Sequence, residues 1–389
     1  MTTQNKFDHY RVDTRLMRVG NKPEDFHGFI NPPVTHASTV LFPDYETMKS
    51  RNQKYTYATR GTPTTDALAN AIDQLEGSAG TIIVPTGLAA VTVPMLAFAK
   101  AGDHCLIVDA IYGPSRGFAD TILQRMGVEV EYFDPHIGPG FAGLLRENTS
   151  MVLIEAPGSN TFEMLDVSAI ADASHQVGAV VMMDNTWATP LFFKPLDHGV
   201  DISIHALTKY AGGHCDLLLG AVSANQRCWK QLAETQLQLG ICGQGDDCFL
   251  ALRGLRTMGI RLKQHEKSAL QVAQWLDGQN QVARVLHPAL QNNPGHDIWK
   301  RDFSGSSGLF AFVLKDASET QMGEFLDALN LFELGYSWGG YTSLAVAVNT
   351  SDRILAKAPQ GGRLIRLQIG LEDTTDLIED IDQAFRKIS

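Results

Sequence analysis

A lysine at position 209 lies where a solvated charge is not expected. It belongs to the mostly apolar segment ALTKY (206–210), which follows a β-branched run at 202–204 and precedes the glycines at 212 and 213. Lysine side chains are ordinarily solvated surface charges. A lysine withdrawn from water has a lowered pKa and becomes nucleophilic, as Schiff-base chemistry requires. Lys209 is therefore the first candidate for a reactive group.

Two further segments place polar or flexible residues directly after apolar runs. Asp184 ends one such run, and the segment PTGL (85–88) follows another. A carboxylate at position 184 could cap the next helix, or it could hold a cofactor's ring nitrogen protonated. Gly87 lets the backbone approach a ligand, and with Leu88 it opens a predicted helix whose free amides can bind a phosphate. Taken singly, each segment also fits an ordinary strand-to-helix turn.

The order of these features along the chain indicates which cofactor they could bind. A phosphate cradle, a ring acid and a lysine, each at a strand end, together suit pyridoxal phosphate (PLP). Thr208 could add a hydroxyl to the same phosphate. A nicotinamide cofactor would need a GxGxxG segment opening a βαβ unit, and the sequence has none. The glycines of 240–245 follow a helical stretch, so we interpret them as a loop.

Short apolar runs alternate with helical stretches through the first two thirds of the chain. This alternation predicts an α/β fold with a mostly parallel central sheet and helices on both faces. The predicted strands are at 81–84, 105–108, 128–132, 151–154, 179–183 and 202–204. The predicted helices are at 64–76, 88–100, 115–126, 140–147 and 167–176. Ligands bind beyond the carboxyl ends of strands in such sheets, which is where the candidate residues lie.

The pattern divides the chain into three parts. Residues 1–55 are rich in proline and weakly periodic, and we expect them to form an arm that packs on a partner subunit. Residues 56–245 form the predicted cofactor-binding domain. Residues 246–389 form a smaller C-terminal α/β domain. Its predicted helices are at 247–258, 261–276 and 375–386, with strands at 282–286, 309–313 and 364–369.

Composition excludes several classes of function. The formal net charge of -11 at pH 7 and the absence of a basic cluster disfavour nucleic-acid binding. The apolar stretch at 87–98 is too short to span a bilayer, and the polar start lacks a signal peptide, so we expect no membrane association. Five irregularly spaced cysteines without a CxxC pair indicate reduced thiols, a cytoplasmic location and no metal site.

Over nearly its full length the chain resembles the transsulfuration group of fold-type I PLP enzymes, the Cys/Met metabolism family. The segments that carry the resemblance are Tyr57 with GTPT (61–64), PGS (157–159), DNTW (184–187), TKY (208–210), RGLRT (253–257), WKRDFSGSSG (299–308) and YSWGGY (336–341). The last two match members of the family that act at the β-carbon. The resemblance implies a PLP enzyme, usually a homotetramer with active sites shared between subunits.

The resemblance also implies roles for individual residues around the cofactor. Lys209 would form the Schiff base and move protons, and Asp184 would pair with the ring nitrogen. Tyr112 would stack on the ring and assist proton transfer. The positions implied to bind the phosphate are Gly87, Leu88, Ser203 and Thr208, together with Tyr57 from a neighbouring subunit.

On the substrate side, the resemblance implies that Arg366 clamps the α-carboxylate, a task suited to the planar guanidinium group. An arginine within a predicted strand could equally be a buried ion-pair partner. Ser337, Trp338 and Tyr112 would form the wall of the substrate pocket. One position departs from the family pattern. Thr59 stands where the family has a phosphate-binding arginine, and it supplies a hydrogen bond but no charge. Either Arg60 compensates for the missing charge or PLP is held less tightly.

The activity implied is β-elimination of L-cystathionine to homocysteine, pyruvate and ammonia. Three alternatives stay open at this point. A γ-acting relative would cleave or form a bond at the γ-carbon, and Trp338 within SWGGY argues against it. A cysteine desulfhydrase or a broad cysteine-conjugate β-lyase shares the β-elimination chemistry. A non-enzymatic scaffold would have lost Lys209, Asp184 or Arg366, and all three are present.

Overall fold

The computed structural model describes residues 9–357 and 359–388 and contains two β-sheets with helices packed around them. The strands are β1 Gly80–Val84, β2 His104–Val108, β3 Glu129–Phe133, β4 Thr149–Glu155, β5 Val180–Asp184, β6 Ile202–Ala206, β7 Gly220–Ala224, β8 Val282–Leu286, β9 Leu309–Lys315, β10 Glu333–Leu334, β11 Leu344–Ala347 and β12 Gly362–Gln368.

The helices flank both sheets. They are α1 Val12–Leu16, α2 Tyr45–Ser50, α3 Pro63–Glu76, α4 Gly87–Phe98, α5 Gly113–Phe118, α6 Val167–Gln176, α7 Thr189–Phe192, α8 Trp229–Leu239, α9 Gly245–Asp277, α10 His296–Asp302, α11 Glu319–Ala328 and α12 Thr374–Ile388. No helix of the described residues is both long and apolar enough to cross a membrane.

The larger sheet has the strand order β1-β7-β6-β5-β4-β2-β3. Neighbours from β6 to β3 run parallel, whereas β7 is antiparallel to both β1 and β6. The predicted, mostly parallel sheet with helices on both faces is therefore confirmed. The strand β7 was not predicted, because its sequence GAVSA is short and made of small residues, yet all five of its residues are buried. The carboxyl ends of β1, β2, β4, β5 and β6 meet at one edge.

Local sequence signals explain α3, which covers the end of this sheet. Thr62 accepts a hydrogen bond from the N–H of Thr65, Pro63 occupies the first turn, and Gly77 ends the helix with a φ of 76°. The helix predicted at 64–76 is confirmed, and its cap, early proline and left-handed glycine occupy their usual positions. The buried face includes Leu68 and Leu75, and it packs against α9. The helix therefore links β1 and β7 of the large sheet to α9.

The predicted break near residue 259 is wrong, because α9 is a single helix of 33 residues. Gly259 lies where the N-terminal arm contacts the helix: a Cβ atom there would lie 2.8 Å from Asp13 Oδ1. The first half of α9 packs into the core of the large domain through residues such as Leu255, and the second half packs on the smaller sheet through Val272 and Leu276. The helix that follows the predicted boundary at 245/246 thus contributes to both cores.

The smaller sheet has the order β10-β11-β12-β9-β8, and α9, α11 and α12 cover it. The predictions for β8, β9, β12 and α12 agree with this sheet. The stretch at 140–147 was predicted to be a helix but forms a 3₁₀ turn, Gly138–Leu144, whose three glycines and one proline disfavour an α-helix. The stretch at 115–126 is a short α-helix followed by a π turn, Ala119–Leu123.

The N-terminal arm is partly packed on its own chain. Leu16 and Val19 are buried against α3 and α9. Beyond them, apolar side chains are exposed, among them Phe29, Ile30 and Leu41. Residues 1–8 of the predicted arm lie outside the described residues.

Candidate active site

A cavity of about 240 Å³ lies at the edge where the parallel strands end. It brings together most of the residues singled out from the sequence: Gly87, Leu88, Tyr112, Asp184, Thr208, Lys209, Trp338 and Arg366 all line it. A larger depression of about 1340 Å³ runs between the N-terminal arm and α3, but none of these residues borders it. The smaller cavity is therefore the candidate active site.

Lys209 follows β6 in a turn and projects into this cavity. Its Nζ atom donates a hydrogen bond of 2.5 Å to Ser337 Oγ and lies 5.3 Å from the centre of the Trp338 ring. Desolvation and the nearby Arg366 lower the pKa of Lys209 to about 8, although Asp184 and Cys215 oppose that shift. Roughly a tenth of the lysine is therefore neutral and nucleophilic at pH 7, far more than for an ordinary lysine, which matches the prediction from its apolar sequence context.

This lowered pKa predicts the pH dependence of cofactor uptake. Protein stripped of cofactor should react with added PLP at a rate that rises with pH and levels off above pH 8, since only the neutral amine attacks. Below the pKa the rate should fall roughly tenfold per pH unit. Stopped-flow absorbance would measure it, with Lys209→Ala as the unreactive control. A midpoint near the ordinary lysine value of 10.5 would contradict the assigned environment.

Two carboxylates lie side by side at the ends of neighbouring strands. Glu155 of β4 is paired in register with Asp184 of β5. Desolvation and the charge of Asp184 raise the pKa of Glu155 well above its usual value, although the N–H of Tyr112 donates to Glu155 Oε2 at 2.8 Å. Desolvation also raises the pKa of Asp184, but both the N–H and the hydroxyl of Thr186 donate to its Oδ1. Burial thus disfavours the charged form of both carboxylates, and Asp184 has the two hydrogen bonds from Thr186 that favour its charge.

The opposite end of the cavity is formed by the start of α4. Thr86 caps the helix by accepting the N–H of Ala89 at 3.0 Å, which leaves the first amides of the helix pointing toward the cavity. A Cβ atom on Gly87 would lie 2.6 Å from the Cβ of Ala206, so a side chain does not fit there. Thr208 also lines this end, although its hydroxyl is already hydrogen-bonded to the N–H and C=O of Leu219.

Arg366, on β12 of the smaller sheet, reaches the cavity between two fixed acceptors. Its Nη1 donates to Asn160 Oδ1 at 2.9 Å, and its Nη2 donates to the carbonyl of Ser337 at 3.3 Å. Desolvation lowers the pKa of Arg366, while the nearby Tyr112 and Glu155 oppose the shift. Within residues 9–357 and 359–388 the guanidinium makes no ion pair with a carboxylate, which disfavours the alternative of a buried ion-pair partner.

Asn160 and Glu155 were not found from the sequence, although both belong to segments with detectable signals. Asn160 follows the PGS segment and has a left-handed backbone with a φ of 65°, which asparagine tolerates better than most residues. Glu155 directly follows a predicted strand, as Asp184 does. Charge at a strand end was the usable signal for both carboxylates, but only the strand pairing reveals that they are neighbours.

One predicted phosphate contact is wrong. Ser203 lies inside β6 and does not line the cavity. Its hydroxyl donates to Glu76 Oε1 at 2.8 Å, and Glu76 also contacts His205 Nε2 at 2.5 Å. Side chains two apart in a strand share a face. Ser203 and His205 therefore both point to α3 and away from the candidate site.

Tyr112 and Tyr57 lie in different surroundings. Tyr112 precedes α5, lines the cavity and is 45% exposed, and desolvation, Glu155 and Asp184 raise its pKa while Arg366 opposes the shift. Tyr57 is 49% exposed and does not border the cavity of its own chain. Among the described residues no group of three or more His, Cys, Asp or Glu side chains could hold a metal ion.

The residues present fit PLP. The cavity has a helix start where only glycine fits, a carboxylate held by two hydrogen bonds from Thr186, and a lysine with a lowered pKa. These three groups match a phosphate, a basic ring nitrogen and an aldehyde, respectively.

Comparisons with known proteins agree with this fit. A family model described as Cys/Met metabolism PLP-dependent enzyme matches residues 13–386. The chain is 62% identical to a putative cystathionine beta-lyase of Rhizobium johnstonii, over 97% of this chain and 96% of that protein. It is 45% identical to the cystathionine beta-lyase MetC of Escherichia coli, over 97% and 99%. A solved cystathionine gamma synthase of Xanthomonas oryzae, in complex with aminoacrylate and cysteine, superimposes with a TM-score of 0.91 at 31% identity, over 97% and 98%.

Proposed function

The chain belongs to the Cys/Met metabolism PLP-dependent enzyme family, and from that membership we propose that it cleaves L-cystathionine by β-elimination. The products are homocysteine, pyruvate and ammonia. The observation that carries the proposal is the similarity, over nearly the full length, to proteins named cystathionine beta-lyase. The cavity holding Lys209, Asp184 and Arg366 supplies the groups that the reaction needs.

Each end of the cavity has a part in holding the cofactor. The first amides of α4 at Gly87 and Leu88 would bind the phosphate, Asp184 would pair with the ring nitrogen, and Lys209 would bind the aldehyde carbon. Tyr112 would stack on the ring. When bound, PLP withdraws electrons from the substrate's α-carbon and so makes its proton acidic. The hydroxyl of Thr208 can join the phosphate only by giving up its hydrogen bond to Leu219.

The substrate is oriented by residues from both domains. Arg366 binds the α-carboxylate through its planar fork while Asn160 and the Ser337 carbonyl hold the guanidinium in place. Trp338 forms the wall of the pocket beside Lys209. This arrangement presents the α-proton to Lys209.

Lys209 then acts as the base. Once the substrate's amine has displaced Lys209 from the cofactor, Nζ in its neutral amine form removes the α-proton, and the bond between the β-carbon and sulfur breaks. The sulfur leaves as a thiolate and takes up a proton to give homocysteine. The three-carbon fragment is released as aminoacrylate, and water hydrolyses it to pyruvate and ammonia. The hydroxyl of Ser337, 2.5 Å from Nζ, keeps the amine directed at the reacting carbon.

Identification of the keto acid tests the proposal. Purified protein supplied with PLP and L-cystathionine should release pyruvate and homocysteine in equal amounts, and L-cysteine should be a poorer substrate than cystathionine. Release of 2-oxobutyrate and cysteine would instead establish a γ-acting enzyme with the same site. A higher kcat/KM for L-cysteine than for cystathionine would establish a desulfhydrase.

We further propose a homotetramer in the cytoplasm. Tyr57 of the partner subunit would reach the phosphate, since Tyr57 is exposed and lies away from the cavity of its own chain. The exposed apolar side chains of the arm, such as Leu41, would be covered in the same contact. The five cysteines are free, which suits a reducing compartment.

A further inference from the structure

One contact between the two domains, made by Arg353, has no part in the proposed reaction. Arg353 lies in the loop between β11 and β12, and its side chain is 5% exposed. Its Nη1 lies 3.1 Å from Glu163 Oε1 and donates to Thr161 Oγ1 at 2.6 Å, and its Nη2 donates to the carbonyl of Ser159. One guanidinium thus holds three groups on either side of Asn160.

The segment that Arg353 binds is a tight loop, residues 158–163. The N–H of Gly158 donates to the carbonyl of Glu163 at 2.8 Å, which closes the loop on itself. Asn160 and Phe162 both have left-handed backbone, with φ of 65° and 61°. Such conformations cost free energy and persist only where surrounding contacts impose them. The hydrogen bonds and the ion pair of Arg353 can impose the left-handed conformations of this loop.

The backbone that follows Arg353 is anchored by hydrogen bonds. The next three N–H groups, of Ile354, Leu355 and Ala356, all donate to the carboxylate of Asp109, at 3.0, 2.6 and 2.6 Å. Burial raises the pKa of Asp109, but these three donors and Arg116 outweigh it and lower that pKa, so the carboxylate stays charged. Residues 353–356 thus join the smaller domain to the loop of Asn160 and to the end of β2.

We propose that Arg353 is a positioning residue for substrate recognition: by fixing the 158–163 loop it holds Asn160 against Arg366, so that Arg366 is aligned to receive the substrate's α-carboxylate. The inference rests on the proposed function of Arg366. Arg353 itself does not line the cavity. Its effect must therefore be transmitted through the 2.9 Å hydrogen bond between Asn160 and Arg366.

A selective loss of carboxylate binding is the expected consequence. Glycine and methylamine both carry an amine, but only glycine has a carboxylate. In the double variant Arg353→Met with Glu163→Gln, which leaves no unpaired charge, the apparent Kd for glycine should rise about tenfold, the scale of one weakened hydrogen bond to a charged group. The Kd for methylamine should change by less than about twofold. Titration of the holoenzyme, followed by the cofactor's visible absorbance, gives both constants.

Two further variants make the test specific. Arg353→Lys keeps the charge beside Glu163 but loses the fork, so the Kd for glycine should rise about threefold, again without a change for methylamine. It also serves if the double variant does not fold. Arg363→Met is the matched control, since Arg363 is an exposed arginine on the same strand as Arg366, and it should leave both constants unchanged.

Equal changes for glycine and methylamine, or no change for either, would overturn the role of Arg353 while leaving the proposed function intact. A wild-type protein that binds glycine no better than methylamine would instead overturn the carboxylate role of Arg366, and this inference with it. Neither result depends on which carbon–sulfur bond the enzyme cleaves.

Discussion

Replacement of Lys209 by alanine is expected to lower kcat with L-cystathionine by at least about 10⁴-fold, because one side chain supplies both the covalent link to the cofactor and the base. The visible absorbance of the purified protein should change at the same time, since the link from protein to cofactor is lost. The structure supports a single lysine in this role: Nζ of Lys209 lies in the cavity with its pKa lowered to about 8.

Lys300→Ala is the matched control, because Lys300 is an exposed lysine on α10. It should retain the wild-type rate and absorbance. Small primary amines added to the Lys209→Ala protein should restore part of the lost rate, because they replace the missing base in the space that the side chain leaves. Turnover and absorbance that persist in Lys209→Ala would contradict the assignment of the reactive lysine.

Asp184→Asn is expected to reduce kcat by about 10²–10³-fold, the loss found when one preorganised electrostatic partner is removed from an active site. Asparagine has the same shape, and its Oδ1 can still accept both hydrogen bonds from Thr186. What it lacks is the negative charge that keeps the ring nitrogen protonated. The KM for cystathionine should change little, since Asp184 does not contact the substrate in the proposed arrangement.

The raised pKa of Glu155 allows a second variant to be compared with Asp184→Asn. Glu155→Gln removes no charge if Glu155 is protonated, as its raised pKa indicates, so kcat should fall by less than about tenfold at neutral pH. Steady-state kinetics of both variants, with Asp172→Asn on the exposed face of α6 as a control, provide the comparison. A larger loss for Glu155→Gln than for Asp184→Asn would show that the charge was assigned to the wrong carboxylate.

The strands of the large sheet were predictable wherever a run of β-branched residues marked them. The strand β7 escaped because its small residues carry no such pattern, and its burial comes from its neighbours. The opposite error occurred in α9, which was predicted as two helices with a break near residue 259. Gly259 is instead the point at which the N-terminal arm crosses the helix. Local propensity was overruled by tertiary packing in both cases.

The site was predictable to the extent that its residues follow strands directly. Lys209, Asp184 and Gly87 were located on that basis, and all three line the cavity. Ser203 was misplaced because the phase of a strand decides which face a side chain occupies, and the sequence alone did not reveal that Glu76 lies opposite. The link from Arg353 to Asn160 joins residues 193 positions apart, and no periodicity reports such a contact.

The most direct test of the proposed β-elimination is to follow the β-carbon that is bonded to sulfur in the three-carbon half of cystathionine. L-cystathionine labelled with ¹³C at the β-carbon of its three-carbon, cysteine-derived half is incubated with the PLP-loaded protein, and the products are observed by NMR. β-Elimination predicts that the label appears in the methyl group of pyruvate while homocysteine stays unlabelled. A label that appears in cysteine, with unlabelled 2-oxobutyrate as the keto acid, would contradict the account.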